Sequence, residues 1–168
     1  MAHASNEPAR FNPTTAFMLA SEGYSSSVSM NGSVDSMTSS DDNKARVRAA
    51  FMPWEQGNSA PFFDLVAEDV TWTVMGTTPV SGVYHSRKAL IDQAFGPLLA
   101  RLEGPLKTKL IDIAADGDRV FLRFQSAGVA EGGKTYNQAY CFAMVMREGW
   151  IVEVVAYLDT ELLAEIFS

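Results

Sequence analysis

At 168 residues, with 20 Asp and Glu against 13 Lys and Arg and a formal net charge of -7, the chain suits one domain long enough to bury a real core. That acidic balance argues against a nucleic-acid or anionic-membrane partner, since either needs a basic face. The single cysteine, Cys141, excludes a disulfide framework, and no apolar run reaches the length of a bilayer span, so a soluble, cytoplasmic protein is the expectation.

Residues 1–40 include most of "SEGYSSSVSMNGSVDSMTSSDDN", a polar mixture whose few apolar residues follow no helical or strand period. Such a stretch buries too little to offset its ordering entropy, so it reads as a disordered or weakly ordered extension, with residues 41–168 as the folded domain. Asp41 or Asp42 is expected to cap a first helix carrying Val47, Ala50, Phe51 and Trp54, with Pro53 disturbing it and Gly57 ending it. Ser59 reads as the cap of a second short helix that holds Pro61 in its first turn and Phe62, Phe63, Leu65 and Val66 as its apolar content. "DVTWTVM" is a strand. Ser86 opens a third helix, "SRKALIDQAFGPLLARL", with a break expected at Gly96-Pro97.

Four strands follow, near 106–115, 118–129, 134–147 and 150–158, and "TELLAEIF" closes the chain as a short helix. The segment 128–135, "GVAEGGKT", satisfies the phosphate-loop pattern, yet that pattern needs a helix after its threonine. Here "YNQAYCFAMVM" alternates with period two, so "EGGK" reads as a hairpin turn and Lys134 as a solvated turn lysine. The fold class is therefore α+β, a curved antiparallel sheet with helices on one face.

Such a sheet has a concave face to account for. On the third of the four strands the small residues Ala139, Cys141, Ala143 and Val145 suit helix packing, leaving Gln138, Tyr140, Phe142 and Met144 for the other side. On the preceding strand Val120, Leu122 and Phe124 fit the helices, and Phe121, Arg123 and Gln125 face the opposite way. A face that mixes aromatic rings and Met with a few Arg and Gln groups has the composition of a ligand cavity; a dimer interface or a wetted face is the plainer alternative.

"MPWEQGN", "LVAEDVTWTV", "VSGVYHSRKAL", "GGKTYNQAYCFAMVM" and "REGWIVEVVAYLDT" together resemble the nuclear transport factor 2-like superfamily, in its SnoaL-like and ketosteroid-isomerase-like branch, from about residue 43 to 163. The resemblance implies a cystatin-like roll: a cone of bent sheet closed by N-terminal helices around an apolar pocket. It also implies a homodimer and a cofactor-independent isomerase, dehydratase or cyclase, although the fold alone does not choose the reaction. The steroid-isomerase positions carry Thr73 or Val74 for the base, Phe142 for the acid and Ala50 or Phe51 for the tyrosine, so that catalytic set looks vacant. In the epoxide-hydrolase pattern Arg123 fits, but Gln125 and Ala156 stand where carboxylates belong.

The remaining candidates carry two readings each. Arg123 is either an electrostatic anchor for an enolate or phenolate, or a sheet-edge arginine paired with Asp116 or Asp118. His85 is a proton carrier or a helix-entry residue, and Asp159 is an acid or base, or the cap of the last helix. Tyr140 would donate to a carbonyl with Gln125 and Gln138 fixing orientation, while Trp72 and Val74 share a side that lines the cavity or is ordinary core. No metal-ligand spacing appears, and no cofactor is implied. The expected partner is a small apolar molecule, with a non-catalytic binding protein or a dimeric adaptor as alternatives.

Overall fold

A computed structural model describes residues 40–168. The extension expected over residues 1–40 lies outside the described residues but for Ser40, which opens α1 (Ser40–Phe51). Asp41 and Asp42 sit within its first turn rather than capping it, where their charge still favours the positive end of the helix. Val47 and Phe51 are fully buried. At Pro53 the chain tightens into a 3-10 turn, Met52–Gln56, which Gly57 ends at φ 87, a left-handed conformation that suits glycine.

Helix α2 (Ala60–Asp64) is entered through Asn58 rather than Ser59: the Asn58 Oδ1 accepts from the Ala60 amide at 3.1 Å, and the Ser59 side chain makes no capping bond. Strand β1 (Val66–Val74) takes up Val66, which the sequence reading had placed in that helix. After β2 (Gly82–Tyr84), Ser86 caps α3 (Arg87–Leu90) by accepting from the Ala89 amide at 3.0 Å.

The break expected at Gly96-Pro97 does not occur. Instead α3 runs through a π-helical turn, Ile91–Phe95, into α4 (Gly96–Leu99), with the Gly96 amide reaching back to the Ile91 carbonyl. Proline has no amide for the carbonyl four residues earlier and its ring crowds that group, so widening the preceding turn lets the helix continue. Strands β3 (Lys107–Asp116), β4 (Arg119–Ala130), β5 (Lys134–Arg147) and β6 (Trp150–Leu158) follow, and α5 (Thr160–Ile166) ends the chain. The "EGGK" turn is a hairpin with Gly132 and Gly133 at φ 77 and 76, closed by the Ala130 and Lys134 pair. Its lysine is exposed but not idle, because Nζ donates to the Glu165 carbonyl at 2.9 Å at the C-terminal end of α5.

The strands form one sheet of six in the order β2-β1-β6-β5-β4-β3. All neighbours are antiparallel except β1 and β6, so the sheet is mixed rather than wholly antiparallel, while the α+β class stands. Cross-strand partners share a face, which separates the two sides. One row runs Ala115, Val120, Met144, Val154, Trp72, Tyr84 and faces the helices; another, Ala114, Phe121, Ala143, Val155, Thr73, Val83, lies on the outer side. A bulge between Leu110 and Asp112 shifts the parity of β3, so that Thr108, Leu110, Ile113 and Ala115 all turn inward. The Glu55 carboxylate accepts the Leu110 amide beside that bulge at 2.6 Å and pins the 3-10 turn to β3.

Candidate functional site

The inner rows of the sheet decide where a site can form. Leu122 pairs with Phe142 and Phe124 with Tyr140, and both pairs face the helices. Phe124 and Tyr140 stack at 4.8 Å with 12° between their planes, and Phe142 stands edge-on to Phe124 at 4.8 Å. Above them lie Trp54, from the turn after α1, Phe63 of α2, and Phe95 of the π turn. Between sheet and helices remains a cavity of about 510 Å³. Its volume suits a small organic molecule, and six aromatic rings from one helix, two strands and two turns line it, so it favours a flat, apolar occupant.

The polar groups converge at the end of the floor nearest the β4–β5 hairpin. Ser126 lines the cavity, with its hydroxyl 3.0 Å from that of Thr108. Tyr140 also lines it, and its hydroxyl is 2.7 Å from that of Tyr136, whose side chain is fully buried. Burial raises the pKa of Tyr136, and burial together with the neighbouring Tyr136 raises that of Tyr140 well above the usual tyrosine value. Both are therefore neutral donors near neutral pH. If Tyr136 gives its proton to the Tyr140 oxygen, the Tyr140 proton is left for an acceptor in the cavity.

A second, smaller chamber of about 40 Å³ lies behind the first, with Phe95, Leu98, Tyr140 and Phe142 belonging to both. Trp72, Val74 and Ala156, expected at the cavity, line this chamber instead.

Phe142 and Tyr140 line the cavity, but on the side that carries the helices rather than on the opposite face the sequence reading gave them. The reading had assigned the small residues of β5 to the helices and the apolar residues of β4 to the same place, which the register forbids: Phe124 faces Tyr140, not Ala139. Arg123 and Gln125 pair with Cys141 and Ala139 on the outer face and are exposed, so the structure places neither at the cavity. The neighbours of Arg123 across the strands are Asp112 and Cys141, rather than Asp116 or Asp118.

His85 is exposed in the bend before α3 and does not line either space, which fits its helix-entry reading. Asp159 caps α5, its Oδ1 accepting from the Glu161 and Leu162 amides at 3.1 Å each. Gln138 is buried and structural: its side chain donates to the Asp159 carbonyl and accepts from the Asp159 amide, both at 2.9 Å. It closes the polar row Thr108, Ser126, Gln138 across three strands.

Sequence reasoning passed over Ser126, Thr108, Tyr136 and Asp92. The first three interrupt an inward strand face with hydroxyls, a pattern visible once the face is known. Asp92 is the carboxylate among the lining residues; it lies exposed at the cavity rim and pairs with Lys88 one helical turn earlier. No cluster suited to a metal ion occurs among the described residues, and no described helix is long and apolar enough to cross a membrane.

This arrangement can accept an apolar molecule and give its oxygen a hydrogen bond in a dry setting, where such a bond polarises a carbonyl more strongly than in water. The SnoaL-like domain profile matches residues 47–154. Among solved structures, an NTF2-like protein of Burkholderia thailandensis is 22% identical at a TM-score of 0.65, covering 75% of this chain and 97% of its own. Bal32a, from a soil-derived mobile gene cassette, is 21% identical at 0.66, with 77% and 98% covered. A Bacillus subtilis protein provisionally named an isomerase is 18% identical at 0.62, with 77% and 95% covered. At these identities the structures share the fold and nothing finer. None of the curated proteins matches the chain.

Proposed function

The chain belongs to the SnoaL-like family, and from that we propose that its cavity takes up a small, flat, apolar carbonyl compound and acts on it without a cofactor. The observation that carries the reading is Tyr140, its hydroxyl 2.7 Å from that of Tyr136, among the residues lining a 510 Å³ aromatic cavity. Tyr140 donates to the carbonyl oxygen. Asp92 takes a proton from the carbon beside the carbonyl, the electron pair moves onto the oxygen, and the proton returns at a conjugated carbon. Isomerisation, dehydration and cyclisation of such compounds share that first step.

A second reading is a binding protein without turnover. It is favoured by the position of Asp92, which is exposed at the rim and held by Lys88 rather than enclosed beside Tyr140. The two readings separate in one experiment: native mass spectrometry identifies a co-purifying carbonyl compound, and the protein is then incubated with it in deuterated water. Deuterium entering beside the carbonyl, lost in Asp92→Asn, supports the enzyme; saturable binding with no exchange leaves the binding protein. No affinity for any carbonyl compound sinks both.

We also propose that the working form is a homodimer formed through the outer sheet face, where Val83, Phe121 and Tyr157 are exposed.

A further inference from the structure

Gly128, the first glycine of the segment that matches the phosphate-loop pattern, lies inside β4, and no positive φ requires a glycine there. Glycine weakens a strand interior and often marks a place where something approaches the backbone closely. Here that is Leu106: a Cβ added to Gly128 would lie 2.8 Å from the leucine Cδ2, closer than real side chains come. The approach follows from the register. Lys107 pairs with Ala127, so Leu106 comes opposite Gly128, whose neighbour on the other side is Tyr136. The chain is tied down just before this point, because the Glu103 amide donates to the Val129 carbonyl and the Glu131 amide to the Arg101 carbonyl, each at 2.9 Å. Between those ties and the start of β3 at Lys107, the residues Gly104, Pro105 and Leu106 all line the large cavity.

We propose that Leu106, laid against Gly128, is the end wall of the ligand site and limits how long a substituent the bound carbonyl compound can carry. This rests on the proposed function and narrows its ligand class. The Tyr140 hydroxyl reaches that of Tyr136, and Tyr136 stands beside Gly128, so a group extending past the bound carbonyl runs toward Leu106. The flat ring system stays among Trp54, Phe63 and Phe95. The compounds that fit are therefore flat ketones with a short alkyl arm on the carbonyl. Gly128 faces inward, as Phe124 and Ser126 do, so a methyl group there lifts the leucine about 1 Å off the sheet to reach ordinary van der Waals distance, and the space shortens.

The full chain is titrated with 2-acylnaphthalenes whose acyl group lengthens from acetyl to octanoyl, with binding followed by the quenching of tryptophan fluorescence. Each methylene that enters the cavity strengthens binding about fourfold, and the arm length at which this gain stops measures the distance to the wall. The expected result is that the gain stops about two carbons later in Leu106→Ala and about one carbon earlier in Gly128→Ala. The double variant then matches Leu106→Ala, because no leucine is left for the new methyl to lift. Strain in β4 alone would shorten the range equally with or without Leu106. Leu106 is half-buried, so the fold should survive its truncation; a thermal melt checks this, and Leu106→Val, with a limit between those of leucine and alanine, gives the same reading at a smaller perturbation. An arm limit that is the same in the wild type and Leu106→Ala, or no limit up to octanoyl, overturns the inference and leaves the cavity reading standing. A shortening by Gly128→Ala that persists in the double variant overturns the pairing of Leu106 with Gly128. No saturable binding of any member of the series overturns the cavity reading and the inference with it.

Discussion

Tyr140 can be tested without knowing the ligand. Burial raises both tyrosine pKa values above the ordinary value of 10.0, so the folded state holds its phenolic protons where the unfolded chain releases them. The stability this represents is fully present below pH about 10 and declines as pH rises through the folded-state values. Urea unfolding followed from neutral to strongly alkaline pH should show a flat region and then a fall, with tyrosinate absorbance rising as structure is lost. In Tyr140→Phe the fall becomes shallower, and Tyr136, left without that partner, costs the variant about 1–2 kcal/mol at neutral pH. Tyrosines that ionise at their ordinary pKa while the protein stays folded would contradict the buried pair. His85 and Asp159 make the complementary case. Both were legible as titratable groups near strand ends, but their burial was not, because one bend and one cap decide it. His85→Ala should leave stability within about 0.5 kcal/mol and turnover unchanged, whereas Asp159→Ala should lose about 1 kcal/mol of capping energy at unchanged turnover. A thermal melt and an exchange assay on each variant settle the pair.

At the level of elements, five of the six strands were legible to within a few residues because period two is a local signal, while the three-residue β2 is too short to show it; the "EGGK" hairpin was enough to dismiss a phosphate loop. The helices were harder. Pro97 disfavours helix wherever only its neighbours are considered, and nothing local announces that a π turn will absorb it. The faces of the strands were misassigned for a different reason: alternation gives two sides, but only pairing says which side of β4 accompanies which side of β5. Phe124 against Tyr140 fixes this, and with it moves Arg123 and Gln125 outward. Gln138 shows how an element can be held by one side chain. It bonds both backbone groups of Asp159, where β6 gives way to α5, and so joins the third strand of the meander to the last helix. Gln138→Ala leaves those two groups without their partner inside the fold and should cost about 2–3 kcal/mol. Hydrogen exchange should then rise first in α5 and in the end of β6; uniform loss of protection would mean that the glutamine supports the whole sheet instead.

Across the whole molecule, the parallel pairing of β1 with β6 joins segments far apart in sequence and brings Trp72, Val74 and Ala156 to one chamber, an outcome that no window of residues reveals. Among the described residues no helix covers the opposite side of the sheet. On it run Ala114, Phe121, Ala143, Val155, Thr73 and Val83, a row across all strands that is small or apolar at every position but threonine, flanked by the mixed row Asp112, Arg123, Cys141 and Tyr157. Phe121 is 42% exposed, Tyr157 49% and Val83 53%. Exposed apolar side chains gathered on one sheet face are uncommon on a protein that works alone, and such a face can meet its own copy under two-fold symmetry. If that face holds two copies together, Phe121→Lys puts a charge on it, and desolvating that charge disfavours association. Because the Phe121 side chain is outside the core, folding should survive: the thermal melt changes by less than about 1 kcal/mol while the native mass falls from two chains to one. The cavity lies on the other side of the sheet, so affinity for an apolar probe should persist in the monomer. A wild-type mass of one chain at micromolar concentration would end the dimer proposal, and a variant that remains dimeric would move the interface to another surface.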